Sequence, residues 1–295
     1  MTAEKPLLRT GMAACVAVVV AAAVRPWIPE LPEDLDYARH YGYATPIWIT
    51  LAGAGAGIAA MTVLTTWRRV GLVLASVAAF LLLWTSGGLV LDGFRAFFNL
   101  TGIPAGTFSV VDWRGAAVRA AALGAAAVLA AVLLADRKNR VVGGAWLGYT
   151  ACALAFIYPL LKIYWAAGGA FLRPAGYDET LPVAEMIMLV GGGVLSLLLV
   201  QRWGRVLPSW LPLVGEHSVP RWLPITTGWL VSAVLLNQGL LPVFGLLNSA
   251  LLRTRPVFVD AGASVWAVGV VYLGWALFGL ALAGATLAYQ QQTRR

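Results

Sequence analysis

Apolar runs follow one another along almost the whole chain, and they constrain its fold more than any other feature. They cover residues 10–28, 45–67, 70–90, 115–135, 144–169, 183–200, 223–247 and 264–289. Each is long enough to cross ~30 Å of hydrocarbon as a helix rising about 1.5 Å per residue. In lipid a backbone must satisfy its own hydrogen bonds, which leaves helices or closed barrels. The strict alternation of barrel strands is absent, so the expected fold class is all-α. The chain reads as a single transmembrane domain over 1–295, a polytopic integral membrane bundle of about eight helices. Composition agrees, because only 12% of residues are charged, against roughly a quarter in soluble domains. So few charges could not cover the surface of a water-soluble fold.

Basic residues orient the runs. With the N-terminus inside, the inner segments carry Lys5, Arg9, Arg68, Arg69, Arg137, Lys138, Arg140, Arg202, Arg205, Arg221, Arg294 and Arg295. The outer segments carry Arg25, Arg39, Arg95, Arg114, Arg173, Arg253 and Arg255. An excess of basic residues marks the cytoplasmic side, so both termini are expected in the cytoplasm. The same clustering at the ends of apolar runs explains the net charge of +8 without nucleic acid as a partner. The first run is expected to stay as an uncleaved helix; Ala21-Ala22-Ala23 leaves cleavage as a signal peptide open.

Two local repeats stand out. Trp84-Thr-Ser-Gly87-Gly88-Leu-Val-Leu91 returns as Trp165-Ala-Ala-Gly168-Gly169-Ala-Phe-Leu172, each at the outer end of an outward-going run. Leu207-Pro-Ser-Trp210-Leu-Pro212 returns as Val219-Pro-Arg-Trp222-Leu-Pro224 on the inner side. Trp84, Trp165, Trp210 and Trp222 are expected to anchor at the membrane interfaces, where indole suits the headgroup boundary. Gly53-Ala-Gly-Ala-Gly57, Ala120 to Gly124 and Gly191-Gly192-Gly193 form small-residue faces. Such faces let helices approach closely, within the chain or against a membrane-protein partner or second copy.

Ionisable residues within a span are costly and usually face protein or water. Arg119, Lys162 and Glu185 are the three here, all expected in the outer third of the membrane. They suggest one outward-facing polar cavity in which Glu185 faces Arg119 or Lys162; snorkelling to the headgroups is the alternative. Tyr158-Pro159 should kink its helix, and Pro242 follows Asn237-Gln238 in another run; kinks free backbone carbonyls that neighbours or water must satisfy. Asn237 and Gln238, consecutive amides in an apolar run, should bond between helices or line a hydrated path.

Catalytic signatures are lacking. His40 and His217 are expected on opposite sides of the membrane, so they cannot share a metal, and no metal site or cofactor is expected. Cys15 and Cys152 lie within apolar runs and read as small apolar residues. HExxH, GxSxG, phosphate-loop and dinucleotide fingerprints do not occur.

Leu161-Lys-Ile-Tyr-Trp-Ala-Ala-Gly-Gly169 resembles a segment of uncharacterised polytopic membrane proteins from actinobacteria. Trp203-Gly-Arg-Val-Leu-Pro208 followed by Val219-Pro-Arg-Trp222 is similar to their cytoplasmic loop. The resemblance covers about a quarter of the chain and implies a bacterial plasma-membrane protein, with no activity attached. Three functions stay open: small-solute transport or binding through the outer cavity, a non-catalytic accessory subunit of a membrane complex, or an intramembrane lipid-modifying enzyme.

Overall fold

The computed structural model describes residues 4–136, 144–173, 183–206, 208–209, 215–254 and 265–293. Helices carry the structure, and among the described residues the only strand-like feature is an isolated antiparallel bridge between Val206 and Ser218. The chain divides into two compact units, 1–139 with 243–257, and 140–242 with 258–295.

In the first unit, α1 (Glu4–Val24) leads through a short outer segment holding α2 (Tyr37–His40). Then come α3 (Ile47–Val63), α4 (Arg68–Thr85), α5 (Leu89–Thr101) and α6 (Trp113–Asp136). Helices α1, α3, α4 and α6 pack in a closed ring, each against two of the others. Small residues bring them together. A Cβ on Gly53 would press on Leu82 of α4 at 3.2 Å, and one on Gly57 would reach the Cys15 sulfur of α1. The core of this ring is Cys15, Val18, Ala54, Ala78, Leu82, Ala122 and Leu129, all fully buried. Outward, the same helices present Val16, Val20, Leu51, Val73, Val77 and Phe80. An apolar exterior around an apolar core is the arrangement lipid requires and water forbids.

The second unit contains α7 (Ala145–Ala155), α8 (Ile157–Ala166), α9 (Val183–Ser196), α10 (Trp222–Gly239) and α12 (Val265–Gln292). Here α12 lies between α10 and α7, and α7 also packs on α9. Gly228 lets α10 approach Thr286 of α12, and Gly193 lets α9 approach Ala155. Tyr158-Pro159 breaks the expected run 144–169 at Phe156, and the run 223–247 breaks at Leu240, two residues before Pro242; α11 (Leu241–Leu252) follows. Proline lacks the N–H its preceding turn would receive, which is why both runs interrupt there.

Among the described residues, five helices are long and apolar enough to cross a membrane, or six if α10 and α11 count as one broken span. The apolar helices at Ile47–Val63 and Met186–Leu199 are shorter. This is a multi-span, all-helical membrane protein.

Candidate functional site

The end of the first ring where α1 and α4 finish and α3 and α6 begin gathers most of its buried polar groups. Asp112 starts this assembly. Its Oδ1 accepts from the Gly115 N–H at 2.9 Å, capping α6, and its Oδ2 accepts from Arg119 Nη2 at 3.1 Å. An N-cap carboxylate satisfies an orphan donor of the first turn. Residues 112 and 119 lie two turns apart on one helical face, so one aspartate serves both purposes.

The second partner of Arg119 comes from α5. Gly88 adopts φ +84°, and a Cβ there would come within 2.4 Å of the Tyr43 ring carbons. Only glycine combines that backbone with that contact, and it turns the chain sharply from α4 into α5. Asp92, one turn into α5, is 2% exposed. Its Oδ2 accepts from Arg119 Nε, and its Oδ1 accepts from Arg119 Nη2 at 3.1 Å and from the Tyr37 hydroxyl at 2.8 Å. The Tyr37 oxygen in turn accepts the Asp112 N–H at 2.9 Å. Arg119 is thus a buried cation, 6% exposed, held by two carboxylates in a two-pronged geometry.

Electrostatics follow from burial. Loss of water pushes the Asp92 carboxyl above its ordinary value, opposed by the Arg119 guanidinium and the Tyr37 hydroxyl. Burial beside Asp92 likewise raises the Tyr37 and Tyr43 phenols. Arg95, three residues after Asp92, is also buried. Its guanidinium lies 3.8 Å from the Tyr37 ring centroid and 4.6 Å from that of Phe108, and Nη1 donates to the Thr107 and Val110 carbonyls. It fastens the segment before α6 onto α5.

Above this cluster lies a cavity of about 120 Å³. Arg119, Asp112 and Gly115 line it together with Tyr43, Thr50 and Thr85; Arg25, Glu30, Asp36, Arg39 and Arg114 also contribute. Arg114 pairs with Glu30 at 2.6 Å, and Thr50 and Thr85 share a hydroxyl contact at 3.3 Å. A buried cation facing a small polar cavity can orient a polar solute.

Arg119 belongs to the first unit, whereas Lys162, Glu185, Asn237 and Gln238 belong to the second. The Lys162 ammonium sits 5.4 Å from the Tyr158 ring centroid and 5.6 Å from that of Trp165. Glu185 lies in α9, its side chain outside what the structure describes. Asn237 is fully buried in α10, and Gln238 next to it is half-buried.

Of the tryptophans, Trp84 and Trp165 are buried and donate their indole N–H groups within the protein, to Asn248 Oδ1 and to the Phe171 carbonyl. Trp222 is exposed, and Trp210 falls outside the described residues. The two Trp-x-x-Gly-Gly segments differ in detail: Gly88, the second glycine, has positive φ in one, and Gly168, the first, in the other.

Asp92, Tyr37 and Tyr43 lie outside the apolar runs, so hydropathy does not single them out. Asp112 carried a readable signal, an aspartate three residues before a glycine at a helix start and seven before a buried arginine. Asp92 carried none, since its partner comes from another helix. No protein family, curated protein or solved structure matches the chain.

Proposed function

We propose that this is a bacterial plasma-membrane protein of eight spans, with both ends cytoplasmic, that binds or transports a small polar solute through an outward-facing cavity in its first helical unit. One observation carries the reading: Arg119 is buried and lines a cavity together with Asp112 and Tyr43. An intramembrane cation of this kind is retained at a cost that a solute site would justify. The two shorter apolar helices and the broken pair support a count of eight. The cavity sits at the opposite end of the ring from Arg68 and Arg69, the basic pair expected inside. The resemblance of 161–169 to actinobacterial membrane proteins supports the compartment.

Thr45 lines the cavity and offers a direct test. In a chain carrying Cys152→Ser, Thr45→Cys should react with a membrane-impermeant maleimide added outside intact cells. Labelling that occurs only from the cytoplasmic side would end the outward-facing reading.

An accessory subunit is the second reading, favoured by Gly55 of α3 and Gly124 of α6, where a Cβ would meet open space. Small residues facing outward suit a partner helix. Gly55→Leu or Gly124→Leu should then abolish co-purification with a partner or second copy; unchanged assembly would remove this reading.

A further inference from the structure

We infer that the solute taken by this cavity is a small oxyanion, a carboxylate or phosphate, received by Tyr43, Arg25, Arg114 and the Nη1 group of Arg119. The inference rests on the solute-binding reading above and names its chemistry.

The argument is an accounting of donors and acceptors around the cavity wall. Four carboxylates line it, Glu30, Glu33, Asp36 and Asp112; Glu33 is exposed to solvent, and the other three are committed. Asp112 uses one oxygen on the Gly115 N–H and the other on Arg119. Asp36 accepts from the Arg39 N–H and pairs with the Arg39 guanidinium, and Glu30 is engaged by Arg114. The donors are not. The buried Arg25 Nε, Arg114 Nε and Tyr43 hydroxyl have no hydrogen-bond partner, although all three residues line this one cavity. Tyr43 is 1% exposed, so bulk water does not reach it freely. Arg119 spends Nε and Nη2 on the two aspartates. Its Nη1 stands beside Gly115, where a Cβ would come within 2.7 Å of it.

Buried polar groups are rarely left without partners, and an orphaned donor costs free energy until something accepts from it. Unspent arginine and phenol donors within one cavity wall call for a ligand made of acceptors, and oxyanions bind arginine forks with shortened, strengthened bonds. Gly115 keeps the wall open beside Nη1. About 120 Å³ admits a small acid or one phosphate group. A lipid phosphate entering from the outer leaflet offers the same chemistry as a free solute.

The test uses the full chain in a phosphate-free, non-ionic detergent, with equilibrium dialysis of labelled acetate, inorganic phosphate, methylammonium and glycerol. Saturable acetate or phosphate binding is expected, weakened about tenfold by Tyr43→Phe and further by Arg114→Gln, with Arg202→Gln as an unaffected control. Arg25→Gln supplies a second variant if Tyr43→Phe does not fold by size-exclusion profile. Short-chain phosphatidic acid competing with phosphate would identify a lipid headgroup as the source, and no competition a free solute; both uphold the chemistry. Binding of methylammonium or glycerol alone overturns the oxyanion and leaves the solute site. Oxyanion binding indifferent to Tyr43, Arg25 and Arg114 overturns the assignment. If no probe binds while Thr45→Cys labels from outside, the oxyanion fails and the solute reading falls with it.

Discussion

Arg119 and Asp92, separated by 27 residues, meet through two hydrogen bonds from one guanidinium to both oxygens of one carboxylate. Neither side chain reaches solvent appreciably. Each charge has been taken out of water and is tolerable only because the other is there.

Removing one member should therefore cost far more than removing both. Asp92→Asn is expected to destabilise the chain by about 3–5 kcal/mol, read as a fall in thermal midpoint in detergent. The double variant Asp92→Leu with Arg119→Met should recover most of that loss. A double variant as unstable as Asp92→Asn would mean that the uncompensated Arg119 charge is not what the single variant costs.

Two glycines on α6 should respond oppositely to one methyl group. At Gly115 it would overlap the Asp112 carboxylate and crowd the Arg119 guanidinium, whereas at Gly124 it would meet nothing within 4 Å. Gly115→Ala should lose about 1–2 kcal/mol as the cap loosens. Gly124→Ala should be neutral or gain up to about 1 kcal/mol from helix propensity. Equal effects at both positions would contradict the packing around Asp112.

Two phenols should titrate late. Tyr37 and Tyr43 are raised above the ordinary value of 10.0 by burial beside Asp92. A group raised on folding contributes stability that is complete below its unfolded value and is lost as pH rises through the folded one. Stability should thus hold to about pH 10 and fall above it. Tyrosinate absorbance should show Tyr37 and Tyr43 among the tyrosines that ionise only as the protein unfolds, with one fewer late group in Tyr37→Phe. A single transition containing all nine tyrosines would refute the burial of this cluster.

The indole of Trp84 binds Asn248 Oδ1 at 3.0 Å, and the same amide donates to the Gly42 carbonyl at 3.0 Å. Trp84→Phe keeps the aromatic bulk and removes the donor, leaving a buried acceptor unmet at a cost of about 1–3 kcal/mol. Trp222→Phe, at an exposed ring, should change the thermal midpoint little. If the two substitutions are equally mild, Trp84 is not spent on Asn248.

Hydropathy made the helices legible, because a segment's preference for lipid is a property of its own side chains and needs no partner. The runs 45–67 and 115–135 each hold one helix, and Pro159 and Pro242 mark where others are interrupted, since a missing N–H is local. Arg119 was legible as an exception to its surroundings. Its partner was not. Asp92 follows Gly87-Gly88 and an apolar triplet in what reads as a loop between spans, and its burial depends on a left-handed turn packed against Tyr43. The sequence by itself determined the solvent of this protein, its helices and one costly charge. The tertiary structure alone decided that Asp92 neutralises that charge and which donors stay unspent around it, because a buried ion pair between helices is fixed only by their meeting.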